Sequence, residues 1–203
     1  MRSLAIDTSS QACSVALFDG AALVDSRHAD IGRGHAEMLV PMIAALDGGG
    51  RADRILVGCG PGSFTGLRVG IAAARALGIG WGVPVVGFGS LALVAAGMMA
   101  AGAAAPLLVV MDGGHGEWLV QPFGDDGRAL APAASLHPDA AIADPTRWVA
   151  GNRAAAFVAR RGYGDAADAL PDAAHALALV PEEQGWAASP LYARAPDAAA
   201  KRG

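Results

Sequence analysis

Cysteine is scarce in this chain. Only Cys13 and Cys59 occur among its 203 residues, and each lies in an apolar stretch typical of a strand. The small number of cysteines argues against the disulfide-linked scaffold of a small secreted domain, and their apolar surroundings predict two buried, reduced thiols. No charged leader with an apolar run and a cleavage site precedes the first predicted strand, so we expect a cytoplasmic protein.

Positive charge is also in short supply. The 15 Lys and Arg residues are outnumbered by 19 Asp and Glu, which gives a net charge of −4. Such a chain lacks the basic surface that binds nucleic acid alone, so a role on RNA would require a partner. Its 53% hydrophobic residues predict a folded core. The Ala-rich run 91–108 is predicted to be a helix and loop rather than a membrane span.

Several catalytic signatures are absent. The glycine-rich segment Gly58–Leu67 carries neither the lysine of a Walker loop nor a G-x-G-x-x-G in register. The five histidines contain no pair spaced by three or four residues, so no helical metal site is predicted. Ser63 lies in Gly-Pro-Gly-Ser-Phe rather than in the G-x-S-x-G turn of a hydrolase. We therefore predict neither a catalytic residue nor a metal ligand.

What the chain does have is that glycine-rich segment, placed between an apolar run and a segment of helical periodicity. Its backbone N–H groups could cradle a phosphate at a helix start. Equally, its glycines could let a helix pack close to a sheet. Asp7, Thr8, Gly62 and Ser63 are the candidate nucleotide-binding residues, but the turn after Asp7 has no glycine. The pattern favours the structural interpretation.

The order of predicted elements indicates the fold. Strands are predicted over 4–7, 13–18, 23–29, 54–57 and 84–88, and helices over a segment containing 38–46 and over 67–79 and 90–101. The pattern β-β-β-α-β-α-β-α is typical of a ribonuclease-H-like or actin-like lobe. Asp7 and Phe18 are eleven positions apart, as are Asp112 and Phe123, which indicates an internal repeat. We predict a duplicated α/β actin-like fold (ASKHA), with one lobe over 1–101 and a reduced second lobe over 102–203.

Several motifs together resemble the bacterial TsaB (YeaZ) family. They are Ala5-Ile6-Asp7-Thr8-Ser9, Arg33-x-His35-x-Glu37, Gly60-Pro61-Gly62-Ser63-Phe64-Thr65-Gly66-Leu67-Arg68-Val69-Gly70, Asp112 with Glu117, and Pro190-Leu191-Tyr192-x-Arg194. The resemblance spans most of the chain. Two departures are that Gly113-Gly114 replaces the family's usual Ala-Arg and that Ala193 replaces a leucine.

The resemblance implies a non-catalytic subunit that dimerises with the paralogue TsaD. Together with the ATPase TsaE, the pair would make N6-threonylcarbamoyladenosine at position 37 of ANN-decoding tRNAs. The resemblance also implies a homodimer when the chain is alone, contact with tRNA only through the complex, and no cofactor of its own, with ATP or ADP possible at the complex interface. TsaD holds a metal through H-x-x-x-H, and the matching positions here are Ser90 and Val94.

The resemblance places the partner interface on the first two helices. Its predicted residues are His35, Met38, Leu39, Met42, Ile43, Leu67, Ile71 and Arg75. On this prediction, Met42→Asp or Ile71→Asp would abolish binding of TsaD and leave the fold intact. The alternative is an ATP-dependent kinase or phosphohydrolase of the same fold that uses Asp7 and the glycine-rich turn; a peptidase is disfavoured by the missing metal ligands.

Overall fold

The structure, a computed structural model, describes residues 1–193. Its strands are β1 (Arg2–Asp7), β2 (Ala12–Asp19), β3 (Ala22–Asp30), β4 (Arg54–Gly58), β5 (Val85–Phe88), β6 (Leu107–Gly114), β7 (Glu117–Phe123), β8 (Ala134–Leu136), β9 (Trp148–Ala150), β10 (Asp165–Ala167) and β11 (Gln184–Ala187). Its α-helices are α1 (His35–Ala44), α2 (Phe64–Trp81), α3 (Ser90–Ala100), α4 (Pro138–Ala141) and α5 (Ala154–Arg161). Short 3₁₀ helices follow α1 and precede β11.

Two sheets repeat one topology. The first has the strand order β11-β5-β4-β1-β2-β3 and the second β10-β9-β6-β7-β8. Without β11 the two orders correspond strand for strand. In each, three antiparallel strands continue into two parallel ones. The predicted duplicated actin-like fold is therefore confirmed, and the second copy is the reduced one because α4 has only 4 residues and α5 has 8.

The layers follow from alternation along the strands. One face of the first sheet packs on α1 and α2, with Leu4, Ile6 and Val57 in that core. Its other face shares a second core with α3 and the inner face of the second sheet, including Ala5, Leu56, Val109 and Phe123. A third core lies between the outer face of the second sheet and α4 and α5. The middle core thus joins both copies.

Most predicted elements form close to their expected bounds. Helix α2 begins three residues earlier and ends two later than predicted. In the second half, the sequence predicts strands over 118–123 and 147–150 and helical segments over 154–161 and 173–179; the last of these is a 3₁₀ helix, Ala173–Ala178. Strands β8, β10 and β11 and helix α4 were not predicted. Within residues 1–193, no helix is long and apolar enough to cross a membrane. The sequence also predicts a frayed, Ala-rich tail from Pro190; its residues 194–203, which include Arg194, lie outside the described residues.

Candidate functional site

The glycine-rich segment packs directly on the turn that follows β1. A methyl group on Gly66 would lie 2.0 Å from the carbonyl oxygen of Thr8, and one on Gly62 would lie 2.2 Å from that of Ser9. One helical turn farther, a methyl group on Gly70 would lie 2.4 Å from the Thr8 hydroxyl oxygen. That hydroxyl donates a hydrogen bond of 2.7 Å to the carbonyl of Gly66. These glycines therefore allow close contact between helix and turn, which supports the structural interpretation.

Ser63 is the N-cap of α2. Its Oγ accepts a hydrogen bond from the N–H of Gly66 at 3.2 Å, which satisfies one of the free donors at the start of the helix. Its own N–H donates to the carbonyl of Ser9 at 2.6 Å. The side chain and backbone of Ser63 thus fix the position of the helix start relative to the β1–β2 turn.

Asp7 lies beneath this contact, at the end of β1, and is 1% exposed. Its Oδ1 accepts hydrogen bonds from the N–H and hydroxyl of Ser9 at 2.9 and 2.7 Å, and its Oδ2 accepts one from the hydroxyl of Ser90 at 2.8 Å. A methyl group on Gly58 would lie 2.1 Å from Oδ2. Burial raises the pKa of Asp7, although these hydrogen bonds oppose the shift. The carboxylate is therefore held by donors inside the fold.

A cleft of about 680 Å³ lies between the two copies, above the glycine-rich segment. Gly62 and Ser63 line it, whereas Asp7 and Thr8 do not. Its lining combines apolar side chains with hydroxyls, amides, one carboxylate and one imidazole: Leu91, Met111, Leu119 and Pro171 with Ser9, Ser10, Gln11, Ser135, Asn152, Asp112 and His115. Two of the four candidate nucleotide-binding residues therefore face an open cavity.

Polar contacts join the copies at this cleft. Asn152 donates through Nδ2 to Gln11 at 3.2 Å and accepts from the N–H of Asp112 at 2.9 Å. Asp112 also pairs with the guanidinium of Arg153. Although burial acts to raise it, the N–H of Gly114 and that guanidinium together hold the pKa of Asp112 below its ordinary value. Arg153 thus places a guanidinium beside Asp112, although position 114, where the family usually has an arginine, is a glycine.

The residues predicted to contact a partner separate into two groups. Five of them lie inside the core of this chain: Leu39, Met42, Ile43, Leu67 and Ile71 are at most 8% exposed. Met38 is 39% exposed and Arg75 is exposed, while His35 is half-buried and contacts the carbonyl of Ala12 through Nε2 at 3.1 Å. The apolar stripes of α1 and α2 face their own sheet, so a partner could reach the helices only on their opposite sides.

Outside these stripes, the helices carry exposed apolar residues that sequence reasoning missed. Val40, Phe64 and Ile79 are 57%, 50% and 86% exposed. Phe64 contacts Tyr192, with ring centroids 5.3 Å apart, and the Arg68 guanidinium lies over its ring at 3.6 Å. The sequence does show that these large apolar residues lie outside the main apolar stripe of each helix. Helical periodicity alone assigns residues at such positions to solvent, so it does not identify them as interface candidates.

The positions that match the metal-binding histidines of TsaD are filled by the core. Ser90 begins α3 and is fully buried with its hydroxyl on Asp7, and Val94 is 2% exposed. Residues 1–193 contain no group of three or more His, Cys, Asp or Glu side chains placed to hold a metal ion.

The two thiols should be unreactive in the folded chain. Cys13 and Cys59 are unpaired and buried, and burial raises the pKa of the Cys13 thiol to about 11. Because the thiolate is the nucleophile, we expect a disulfide reagent such as DTNB to label neither cysteine at pH 8 in native buffer and to label both in denaturant. Fast labelling of one thiol in native buffer would contradict the buried position of that residue.

Comparisons with known proteins agree with this architecture. A family model described as "TsaD: tRNA N6-adenosine threonylcarbamoyltransferase" matches residues 29–150. The tRNA threonylcarbamoyladenosine biosynthesis protein TsaB of Escherichia coli is 36% identical over 122 residues, which are 58% of this chain and 52% of that protein. The uncharacterized protein Rv3421c of Mycobacterium tuberculosis is 35% identical over 96% of this chain and 92% of its own length.

Solved structures show the same likeness. YeaZ from Pseudomonas aeruginosa has a TM-score of 0.78 and 30% identity, over 94% of this chain and 99% of that one. The chain spans about half the length of two curated relatives that it matches: 52% of the E. coli protein and 55% of the uncharacterized protein ML0378 of Mycobacterium leprae.

Proposed function

Because the chain belongs to the TsaB (YeaZ) family, we propose that it takes part in the biosynthesis of threonylcarbamoyladenosine in tRNA. Its role there is that of a non-catalytic subunit, which binds TsaD and acts together with TsaE. The TsaD family model, which matches residues 29–150 of this chain, supports a paralogous partner of the same fold. With a net charge of −4, the chain depends on that complex for contact with tRNA.

The exposed side of α1 and α2 is the proposed docking surface, and it is the observation that carries the proposal. Val40 on α1, and Phe64 and Ile79 on α2, are large apolar side chains that remain exposed in the folded chain, whereas Met38, two positions from Val40, is exposed on another side of α1. Arg68 on α2 pairs with no carboxylate of residues 1–193 and adds a cation to this side. Apolar and arginine side chains are the groups enriched at protein interfaces.

The absence of a catalytic role is supported by the same contacts that build the fold. Asp7 accepts hydrogen bonds from Ser9 and Ser90. The backbone of the β1–β2 turn occupies the space beside Gly62 and Gly66. A phosphate or a metal-bound water near Asp7 would have to displace these contacts. The cleft lined by Gly62 and Ser63 is the feature that the kinase or phosphohydrolase alternative would use, but Asp7, the carboxylate that this alternative requires, does not line it.

Val40→Asp tests the docking surface. Since Val40 is exposed, we expect circular dichroism and the melting temperature to stay near those of the native chain. If Val40 contacts TsaD, a charge in its place removes an apolar contact and leaves a desolvated carboxylate, so affinity for TsaD should fall by about 30-fold or more. The measurements are binding of TsaD by titration and the yield of modified tRNA in a reconstituted reaction with TsaD and TsaE.

Leu130→Asp is the matched control, because Leu130 is 62% exposed but lies in a loop after β7. It should bind TsaD and support modification as the native chain does. Native affinity in the Val40→Asp variant would refute this surface. If the isolated chain turned over ATP and Asp7→Ala abolished that turnover, the non-catalytic role itself would be refuted.

A further inference from the structure

Strand β3 forms an outer edge of the first sheet. Its inner side pairs with β2, and no strand of residues 1–193 pairs with its outer side. It is nine residues long, and Leu23 and Val24 are 49% and 44% exposed. A long edge strand with exposed apolar residues is a template to which a second chain could add a strand.

Two features interrupt this edge near its middle. Leu17 pairs with Asp25 and Phe18 with Leu23, so Val24 is an extra residue in the ladder, a bulge. At Ser26, both backbone polar groups are occupied by neighbouring side chains. The Ser26 N–H donates to Oδ1 of Asp25 at 2.8 Å, and its carbonyl accepts from Nη1 of Arg27 at 2.7 Å.

The two side chains that cover Ser26 are themselves fixed in place. Asp25 and Arg27 form an ion pair with each other, and the Arg27 guanidinium holds the pKa of Asp25 below its usual value. Each also contacts the segment after α1: Asp25 Oδ2 accepts from the N–H of Asp47 at 3.1 Å, and Arg27 Nη2 donates to the carbonyl of Ala45 at 3.2 Å. Both side chains that occupy the Ser26 backbone groups are therefore also bonded to the segment after α1.

We propose that the Asp25–Arg27 pair closes the outer edge of β3 to strand addition and so prevents a second copy of this chain from pairing with it edge to edge. A second copy is the expected occupant because antiparallel self-pairing centred on Ser26 would bring the Ser26 N–H and carbonyl of each copy opposite the carbonyl and N–H of the other. These two hydrogen bonds can form once the side chains of Asp25 and Arg27 no longer occupy the Ser26 backbone groups. The proposal concerns a surface other than the helices that are proposed to bind TsaD.

The test is the double variant Asp25→Ser with Arg27→Ser. It uncovers two backbone groups on each copy, so we expect the self-association constant, measured by sedimentation velocity, to rise roughly tenfold or more. Adding Ser26→Pro to the double variant should return it to the native level. Proline removes the Ser26 N–H, which donates only to Asp25, and so blocks the edge without the loss of a ladder bond.

The control removes a different exposed ion pair, Asp139 with Arg160, by the same two changes to serine. It should leave association unchanged. Native association in a folded Asp25→Ser, Arg27→Ser variant would overturn the proposal, as would association that persists after Ser26→Pro. Should the double variant fail to fold, the single change Asp25→Ser decides, because it frees the Ser26 N–H and leaves Arg27 on Ala45; it should associate more than the native chain, and native association would overturn the proposal.

Discussion

Gly66→Ala should lower the free energy of unfolding by about 3 kcal/mol or more, at the upper end of what overpacking costs. The added methyl group would lie 2.0 Å from the carbonyl oxygen of Thr8, a backbone atom in the turn after β1. Neither group can yield by rotating a side chain. Helix α2 would have to move away from the turn, which would stretch the bond between the Thr8 hydroxyl and Gly66. We expect a fall in melting temperature of roughly 10 °C by calorimetry.

Gly80→Ala is the control on the same helix. No heavy atom lies within 4 Å of a methyl group at that position, so the substitution should instead stabilise the protein by about 0.5 to 1 kcal/mol through the better helix propensity of alanine. If the free energy of unfolding falls in Gly66→Ala and rises in Gly80→Ala, the loss at Gly66 is due to close packing and not to helix propensity. A melting temperature of Gly66→Ala within a degree of the native value would show that the contact is not tight.

Ile71→Asp should prevent stable folding. Ile71 is 3% exposed and belongs to the core between α2 and the first sheet. An unpaired carboxylate there costs more than the transfer of the side chain alone, and effects above about 4 kcal/mol are expected from a buried charge. Since domains are stable by about 5 to 15 kcal/mol, far-UV circular dichroism and urea titration should show a largely unfolded or strongly destabilised chain.

Ile79→Asp provides the comparison. Ile79 lies on the same helix but is 86% exposed, so stability should fall by no more than about 1 kcal/mol, which is the cost of an anion in the last turn of a helix. A stably folded Ile71→Asp chain would contradict the burial of that residue. This pair replaces the test that the sequence suggested, because loss of TsaD binding in Ile71→Asp or Met42→Asp would now be explained by loss of the fold.

The sequence was most informative where a pattern spans several elements. The equal spacing of Asp7 to Phe18 and of Asp112 to Phe123 predicted the repeat, and the two sheets have matching strand orders. Strand β11 could not be predicted, because its four residues contain a glycine, alternate poorly and carry an irregular register with β5. Strands of three residues, such as β8 and β10, give no periodicity to read.

The candidate site shows where sequence reasoning stops. Periodicity located the apolar stripes of α1 and α2, but a stripe has the same period whether it covers a sheet or a partner. Only the structure shows that Met42 and Ile71 lie inside and Val40 outside. The contact between Gln11 and Asn152 joins positions 141 residues apart, and no local pattern encodes it. Arg153 on Asp112 was missed for the same reason.

The return of the chain to its first sheet has a consequence for synthesis on the ribosome. β11 pairs with β5, and the N–H of Leu191 donates to the carbonyl of Cys59 at 2.7 Å. The guanidinium of Arg75 also donates to the carbonyl of Ala188 at 2.6 Å. The amino-terminal copy is therefore made first but acquires its last strand only after residue 187 has been added. Until then β5 is an open edge, so the earliest part of the chain is among the last to be protected.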